Sequence, residues 1–111
     1  MRLPGGPLLQ RNPDVAWRDE PTQKEVILSA LERGEDVADR GWVILVDGGQ
    51  MVELNLLAGE IWCLLDGSRD AAAVSRKLAE RFDAPAEEIR ADVDEFVAHC
   101  VERGWLTEES T

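Results

Sequence analysis

Two short apolar runs joined by a pair of glycines constrain the fold of this chain more than any other feature. The runs are residues 42–46 and 51–55, and the link between them, residues 47–50, begins with Asp47, Gly48 and Gly49. Glycine and aspartate tolerate the positive φ angles that a tight hairpin loop requires. The sequence therefore predicts a β-hairpin near the middle of the chain.

The two predicted strands differ in their expected exposure. Residues 42–46 are apolar at every position, which is typical of a central strand buried on both faces. In residues 51–55, Val52 and Leu54 share one face while Glu53 lies on the other, which is typical of a strand at a sheet edge. Such an edge either accepts a strand from another chain or is merely protected from pairing by the charge of Glu53. The sequence alone leaves both alternatives open.

Apolar residues recur at helical spacing in three stretches after the hairpin. Asp70 is suited to cap the second stretch, Pro85 fits the first turn of the third, and Gly104 ends it. Trp105 and Leu106 are expected to fold back over the core. The three stripes are Leu57, Ile61, Leu64 and Leu65; Val74, Leu78 and Phe82; and Ile89, Val93, Phe96, Val97 and Cys100.

The chain before the hairpin predicts a short strand and an extra helix. Residues 15–18 alternate between apolar and polar, and Thr22 and Glu25 have the Thr-x-x-Glu spacing of a capping box. Gly34 is placed to end the helix. The expected organisation is a flexible N-terminal tail at residues 1–12, one folded domain at residues 13–106 and a C-terminal tail at residues 107–111.

The composition excludes several classes of protein. The chain has 111 residues and a net charge of −11, so it repels phosphate backbones and is not expected to bind nucleic acid. It has no run of about 20 apolar residues of the kind that crosses a membrane, so we expect no membrane partner and a cytoplasmic location. Cys63 and Cys100 lack metal-ligand spacing and are expected to be reduced, with a disulfide left open by the sequence.

No arrangement of side chains predicts catalysis. His99, the one histidine, has Glu95 and Glu102 near it on a predicted helix, but no serine, cysteine or tyrosine has the spacing of a nucleophile. Asp92 and Glu95 share a helix face while Asp94 points elsewhere, and no magnesium-binding motif accompanies them. We therefore expect a protein that is not an enzyme and that needs no metal or cofactor.

Several of these residues form an ordered set across about residues 42–106. They are Leu54, Asn55, Gly59, Ile61, Leu64, Asp66, Gly67, Val74, Leu78, Asp92, Val93, Phe96, Gly104, Trp105 and Leu106. Their order is a hairpin ending in Leu-Asn, a small residue, an apolar helix closing on Asp-Gly, two further helices and a terminal Gly-Trp-Leu. This order and spacing resemble the PqqD family.

The chain departs from the family pattern at two places. Asp70 stands where the family has a threonine, which is a chemically equivalent cap. The front end, residues 12–20 followed by a helix, departs from minimal family members and is similar to a PqqD-like branch that accompanies radical SAM/SPASM proteins of the GeoRSP type; the detour before the hairpin runs from Thr22 to Gly41. The resemblance implies an α+β fold in which a three-stranded antiparallel sheet packs on a three-helix, winged-helix-like bundle, here with an extra helix between strands 1 and 2.

The resemblance also implies a function. PqqD-like domains are RiPP recognition elements, which bind the leader region of a ribosomally made precursor peptide by strand addition and present it to a radical SAM/SPASM maturase. The expected partners are therefore a precursor (leader) peptide and a maturase, and no cofactor is implied. Two alternatives stay open, namely a winged-helix module that binds DNA and a structural or dimerisation subunit without peptide delivery.

The resemblance places the peptide contacts on two segments of this chain. The edge strand would offer the backbone of Met51, Val52, Glu53 and Leu54. The last helix would line the facing groove with Arg90, Val93, Asp94, Val97 and Val101. Plain core packing is the open alternative for Val93 and Val97. It is also the alternative for Trp62 and Trp105, which would otherwise anchor the maturase.

Overall fold

The computed structural model of the protein describes residues 7–109. In chain order its elements are β1 (Leu8–Arg11), β2 (Ala16–Asp19), α1 (Pro21–Glu32), β3 (Val43–Asp47), β4 (Gln50–Leu54), α2 (Leu56–Leu64), β5 (Asp66–Arg69), α3 (Ala71–Phe82), α4 (Ala86–Glu102) and β6 (Leu106–Glu109). Within this range the strands form two antiparallel sheets of three, with the orders β5-β1-β6 and β2-β3-β4. The predicted α+β class is confirmed.

The described chain divides into two compact units. Unit 2 is the continuous segment Pro13–Glu60, which contains β2, α1, β3, β4 and the first part of α2. Unit 1 is built from the chain on both sides of that segment and contains β1, the end of α2, β5, α3, α4 and β6. Each unit therefore has its own three-stranded sheet.

The predicted hairpin is present in unit 2. β3 and β4 pair in antiparallel register, with Asp47 opposite Gln50 next to the loop. Gly48 and Gly49 form that loop with φ angles of +58° and +84°. A two-residue loop with positive φ at both positions matches the right-handed twist of the strands, so it favours this register.

β3 is the central strand of the unit 2 sheet, as its apolar sequence predicted. It pairs with β2 on one side and with β4 on the other. Val43 and Leu45 have no exposed surface, and Ile44, on the opposite face, is only 7% exposed. The predicted extra helix is present, because α1 lies between β2 and β3 in the chain.

The first helix begins earlier than predicted, and the predicted capping box is wrong. α1 starts at Pro21, and Glu20 occupies the N-cap position without a side-chain capping hydrogen bond. Proline is favoured at the first helical position because its φ is already helical and it has no N–H to satisfy. Thr22 therefore lies inside the first turn and not at the cap position.

A buried ion pair connects α1 to the rest of unit 2. Lys24 pairs with Glu60, whose side chain is 3% exposed. The ammonium of Lys24 also lies 4.6 Å from the centroid of the Trp42 ring. Trp42 is itself buried, and its indole Nε1 donates a hydrogen bond to the carbonyl of Leu56 at 3.2 Å. These contacts join α1 to the segment before β3 and to the start of α2.

α3 and α4 pack against each other in unit 1. Asp70 caps α3 as predicted, because its carboxylate accepts a hydrogen bond from the N–H of Ala73 at 2.8 Å. α4 begins directly after Pro85, which occupies the N-cap position and not the first turn that the sequence predicted. A winged-helix arrangement of the helices stays a prediction. The core residues of the two helices, each at most 5% exposed, include Val74, Leu78, Ile89, Val93 and Cys100.

The two ends of the chain differ from the prediction. Residues 8–11 were predicted to belong to a flexible tail but form β1 between β5 and β6, and β6 includes residues 107–109 of the predicted C-terminal tail. Leu9 is 2% exposed, and Arg11 Nη1 donates to the carbonyls of Trp62 at 2.9 Å and Cys63 at 3.2 Å. The prolines and glycines that suggested flexibility lie at residues 4–7. Residues 1–6 lie outside the described residues.

Candidate functional site

β4 forms one edge of the unit 2 sheet. It pairs with β3 along its whole length, and no other strand among residues 7–109 pairs with its opposite side. The alternation of apolar and polar residues in its sequence predicted this edge position. Backbone N–H and C=O groups at such an edge are available to a further strand.

The register shows which backbone groups of β4 face the open side. The carbonyl of Trp42 accepts a hydrogen bond at 2.8 Å from the residue that follows β2, so it points towards β2. Directions alternate along a strand, so Val43 directs its backbone groups towards its partner Leu54 on β4. On β4, Leu54 and Val52 therefore direct their backbone groups towards β3. The N–H and C=O groups of Met51 and Glu53 point the other way, to the open edge.

The side chains of β4 differ in exposure between the two faces. Val52 is half-buried and Leu54 is 5% exposed, so both anchor β4 to the core of unit 2. Met51 is 65% exposed, and Glu53 is also exposed on this second face. Met51 lies directly opposite Val46, which is 44% exposed, so the two form an exposed apolar pair beside the open edge.

A depression of about 250 Å³ lies at the carboxyl end of β4. Gly41 passes so close to β4 that a Cβ atom there would lie 2.7 Å from the Cβ of Glu53, so a larger residue does not fit. Sequence reasoning missed this part of the site, and the glycine just before the strand is the one signal that points to a close approach. The lining residues are Ala38, Asp39, Arg40, Gly41, Glu53, Leu54, Asn55 and Ala58.

The charges around this depression are only partly paired. Arg33 and Arg40 both contact Glu35, at 2.8 Å and 3.6 Å. The hydrogen bond from Arg33 lowers the pKa of the Glu35 carboxyl. Asp39 and Glu53 make no ion pair or hydrogen bond with any residue in the range 7–109. Taken together, these two arginines and the carboxylates of Glu35, Asp39 and Glu53 leave one net negative charge around the depression.

Comparison with known families gives a match over most of the chain. The family described as "Coenzyme PQQ synthesis protein D (PqqD)" matches residues 25–106. The chain belongs to the PqqD family. The matched segment contains the hairpin and the helices α2 to α4, whereas β1 and β2 lie before it. The resemblance that the ordered residues indicated is thereby confirmed.

Relatives of this PqqD-family chain are named PqqA binding protein. The one from Rhodopseudomonas palustris (strain TIE-1) is 37% identical over 73 residues, which cover 66% of this chain and 71% of the relative. The one from Methylococcus capsulatus (strain ATCC 33009 / NCIMB 11132 / Bath) is 35% identical over 82 residues, which cover 73% of this chain and 85% of the relative.

A solved structure of the same family shares the fold. It is the solution NMR structure of the PqqD truncation of Methylobacterium extorquens PqqCD, described as a functional and stand-alone RiPP recognition element. The TM-score is 0.62 at 17% sequence identity, and the match covers 90% of this chain and 88% of the other. At that identity the similarity shows a PqqD-like fold.

The second group of predicted site residues lies on α4 of unit 1. Arg90 Nε donates to Asp94 Oδ1 at 2.9 Å, one helical turn away. Val97 and Val101 are half-buried, whereas Val93 has no exposed surface and is a core residue of unit 1. The four edge residues belong to unit 2 and these five to unit 1. Peptide contact by the α4 residues stays a prediction.

Unit 1 also contains the other residues that the sequence suggested as candidates for chemistry or docking. His99 is exposed, and its ring is nearly perpendicular to the Trp105 ring, at 82°, with a centroid distance of 5.5 Å. Neither cysteine forms a disulfide within residues 7–109, and burial raises the pKa of the Cys100 thiol to about 12, which keeps it protonated and a poor nucleophile. Trp62 and Trp105 are buried, which agrees with their interpretation as core residues.

Residues 7–109 contain neither a group of metal-ligating side chains nor a helix that could cross a membrane. In this range no group of three or more histidine, cysteine, aspartate or glutamate side chains is arranged to hold a metal ion. None of the helices described there is long and apolar enough to cross a membrane.

Proposed function

We propose that this PqqD-family protein binds the leader region of a ribosomally made precursor peptide by adding it as a strand to the open edge of β4. The observation that carries the proposal is the pair of outward-facing backbone positions at Met51 and Glu53. Each position offers one N–H donor and one C=O acceptor to a further strand. The name of the PqqA binding proteins and the recognition element described for the NMR structure support a peptide as the occupant.

The proposal assigns delivery of the peptide, and no chemical step, to this protein. The bound precursor is presented to a radical SAM/SPASM maturase, and the chain itself needs no cofactor. We also propose a cytoplasmic location for the protein. Backbone pairing at β4 provides affinity, and side chains choose the register. Further peptide contacts are proposed for Arg90, Asp94, Val97 and Val101 of α4, while the fully buried Val93 supports them from the core.

Proline substitution at Met51 tests strand addition. Met51→Pro removes the outward N–H, while the ladder between β3 and β4 keeps all its donors. Met51→Ala is the matched control, because it removes the same side chain and keeps the N–H. Since a lost hydrogen bond costs about 1 kcal/mol and the ring also obstructs the edge, we expect the proline variant to bind peptide about tenfold more weakly than the alanine variant.

Isothermal titration calorimetry measures the binding, and circular dichroism shows that both variants are folded. The probes are synthetic PqqA and, where a neighbouring gene encodes a short precursor peptide, that peptide. Equal affinities of the folded proline and alanine variants would overturn strand addition at β4. If neither probe binds the wild-type chain at tens of micromolar, peptide binding is overturned. Dimers in light scattering that the proline variant abolishes would instead favour a structural subunit.

A further inference from the structure

We infer that the β4 edge selects peptides in which a basic residue lies two positions from an apolar residue, with the basic side chain beside Glu53 and the apolar side chain beside Met51. This inference rests on the strand addition proposed above and adds the class of peptide that the edge accepts. Three observations support the inference. Met51 and Glu53 lie on the same face of β4, Glu53 is charged, and Met51 exposes apolar surface.

Met51 and Glu53 project from the same face of β4, because side chains two residues apart along a strand point the same way. Their backbone groups are also those at the open edge, so a strand that pairs there places one of its residues directly beside each. Those two peptide residues are themselves two positions apart and share that face. Their Cβ atoms lie about 5 Å from the Cβ atoms of Met51 and Glu53.

Glu53 favours a basic neighbour. Its carboxylate is exposed and makes no ion pair or hydrogen bond within the described range 7–109, and its cross-strand partner is the apolar Ile44. Asp39 lines the same depression, whereas Arg40 there already pairs with Glu35. A lysine or arginine beside Glu53 therefore gains an ion pair and lays its methylene groups along the depression. An aspartate or glutamate would meet like charge.

Met51 favours an apolar neighbour. It is 65% exposed, its partner Val46 is 44% exposed, and Ala16 follows in the same row across the sheet. An apolar peptide residue beside Met51 extends this row and removes apolar surface from water. The flexible thioether accepts several apolar shapes. The peptide residue between the two lies on the other face beside the half-buried Val52, so an apolar residue is favoured there too.

The order of the three peptide residues depends on the strand direction. An antiparallel peptide passes Glu53 first, so its sequence is Lys/Arg-apolar-apolar, and a parallel peptide has the reverse order. The net charge of −11 attracts any basic peptide, but it does not fix where the basic residue lies. The spacing is therefore the property that separates local selection from general attraction.

Selection from a displayed library of short random peptides tests the inference. The baits are the full-length wild-type chain and its Glu53→Lys, Met51→Thr and Glu80→Lys variants. Glu80 is an exposed residue of α3, so its variant is the matched control for the change in net charge. We expect wild type and Glu80→Lys to enrich the basic and apolar pair. Glu53→Lys should enrich an acidic residue at the basic position, and Met51→Thr should lose only the apolar preference.

One enriched peptide is then titrated by fluorescence anisotropy. Replacing the basic residue of the peptide by glutamine should weaken its binding to the wild-type protein by about two- to fivefold. The Glu53→Gln protein should bind the original and the substituted peptide equally well. Enrichment of the same sequences by all the baits overturns the selection rule while peptide binding itself stands. A wild-type chain that enriches no peptide overturns strand addition, and this inference with it.

Discussion

Substitution of Gly59 by alanine is expected to destabilise the protein, although alanine is the better helix former. In an exposed helix interior this change stabilises by about 1 kcal/mol. Gly59 lies inside α2, where a Cβ atom would stand 2.4 Å from Nε1 and 2.6 Å from Cε2 of Trp42. Trp42 is only 3% exposed, and its Nε1 donates to Leu56 at 3.2 Å. The indole therefore has to move.

The size of the effect follows from these distances. Carbon atoms in contact lie about 3.5–4.0 Å apart, so the ring has to shift by about 1 Å. That shift costs about 1–3 kcal/mol in overpacking. Loss of the hydrogen bond to Leu56 adds about 1 kcal/mol. After subtraction of the helix propensity, we expect Gly59→Ala to lower the free energy of unfolding by about 1–3 kcal/mol.

Urea unfolding followed by circular dichroism measures this change in two backgrounds. In the wild-type background Gly59→Ala should destabilise. In a Trp42→Leu background the smaller side chain leaves room for the new methyl group, so the same substitution should be neutral or stabilise by up to about 1 kcal/mol. Equal destabilisation in both backgrounds, or a stabilised single variant, would refute the steric reasoning.

Three further substitutions test contacts in unit 1. Arg11→Lys should lower the free energy of unfolding by about 1 kcal/mol, because the lysine side chain is shorter and withdraws the donor from the two carbonyls that Arg11 Nη1 reaches. Hydrogen exchange of the β1 amides should accelerate, and unchanged exchange would contradict this role. Asp70→Ala should cost about 1 kcal/mol through loss of the α3 cap, and Asp70→Ser should recover most of it in the same unfolding assay. The pKa of Cys100 is raised from 9.0 to about 12 in the folded state, so its contribution to stability is fully present below pH 9 and is lost as the pH rises towards 12. Between pH 9 and 12 the free energy of unfolding of the wild-type protein should fall by about 1.4 kcal/mol per pH unit more than that of Cys100→Ala. Parallel pH profiles of the two proteins would contradict this prediction.

Local signals explain which parts of the fold the sequence predicted. The loop at Gly48 and Gly49 and the cap at Asp70 each depend on residues within a few positions, and both are present. β1 depends on distant partners. Arg11 donates hydrogen bonds to Trp62 and Cys63, which lie 51 and 52 positions further along the chain. No local pattern reports such a pairing, and the nearby prolines and glycines indicated the opposite.

The candidate site was predictable in outline only. Alternation in β4 identified the edge, because burial of one face leaves a pattern with a period of two residues. The outward backbone groups of Met51 and Glu53 required the register, since a shift by one residue would expose those of Val52 and Leu54 instead. The depression beside Gly41 could not be predicted, because it depends on the path of the chain just before β3. The polar sequence of that segment does not specify its path.

The position of β1 has a consequence for the order in which the protein forms during its synthesis. Leu9 leaves the ribosome early, but its two strand partners, Arg69 and Glu108, follow much later. Contacts between residues so far apart form slowly, because a long loop has to close first. Unit 2 is continuous in the chain, so its open β4 edge emerges while β1 still has neither neighbour. The nascent chain therefore passes through a stage in which the apolar Leu8 and Leu9 are open to a chaperone or to another nascent chain.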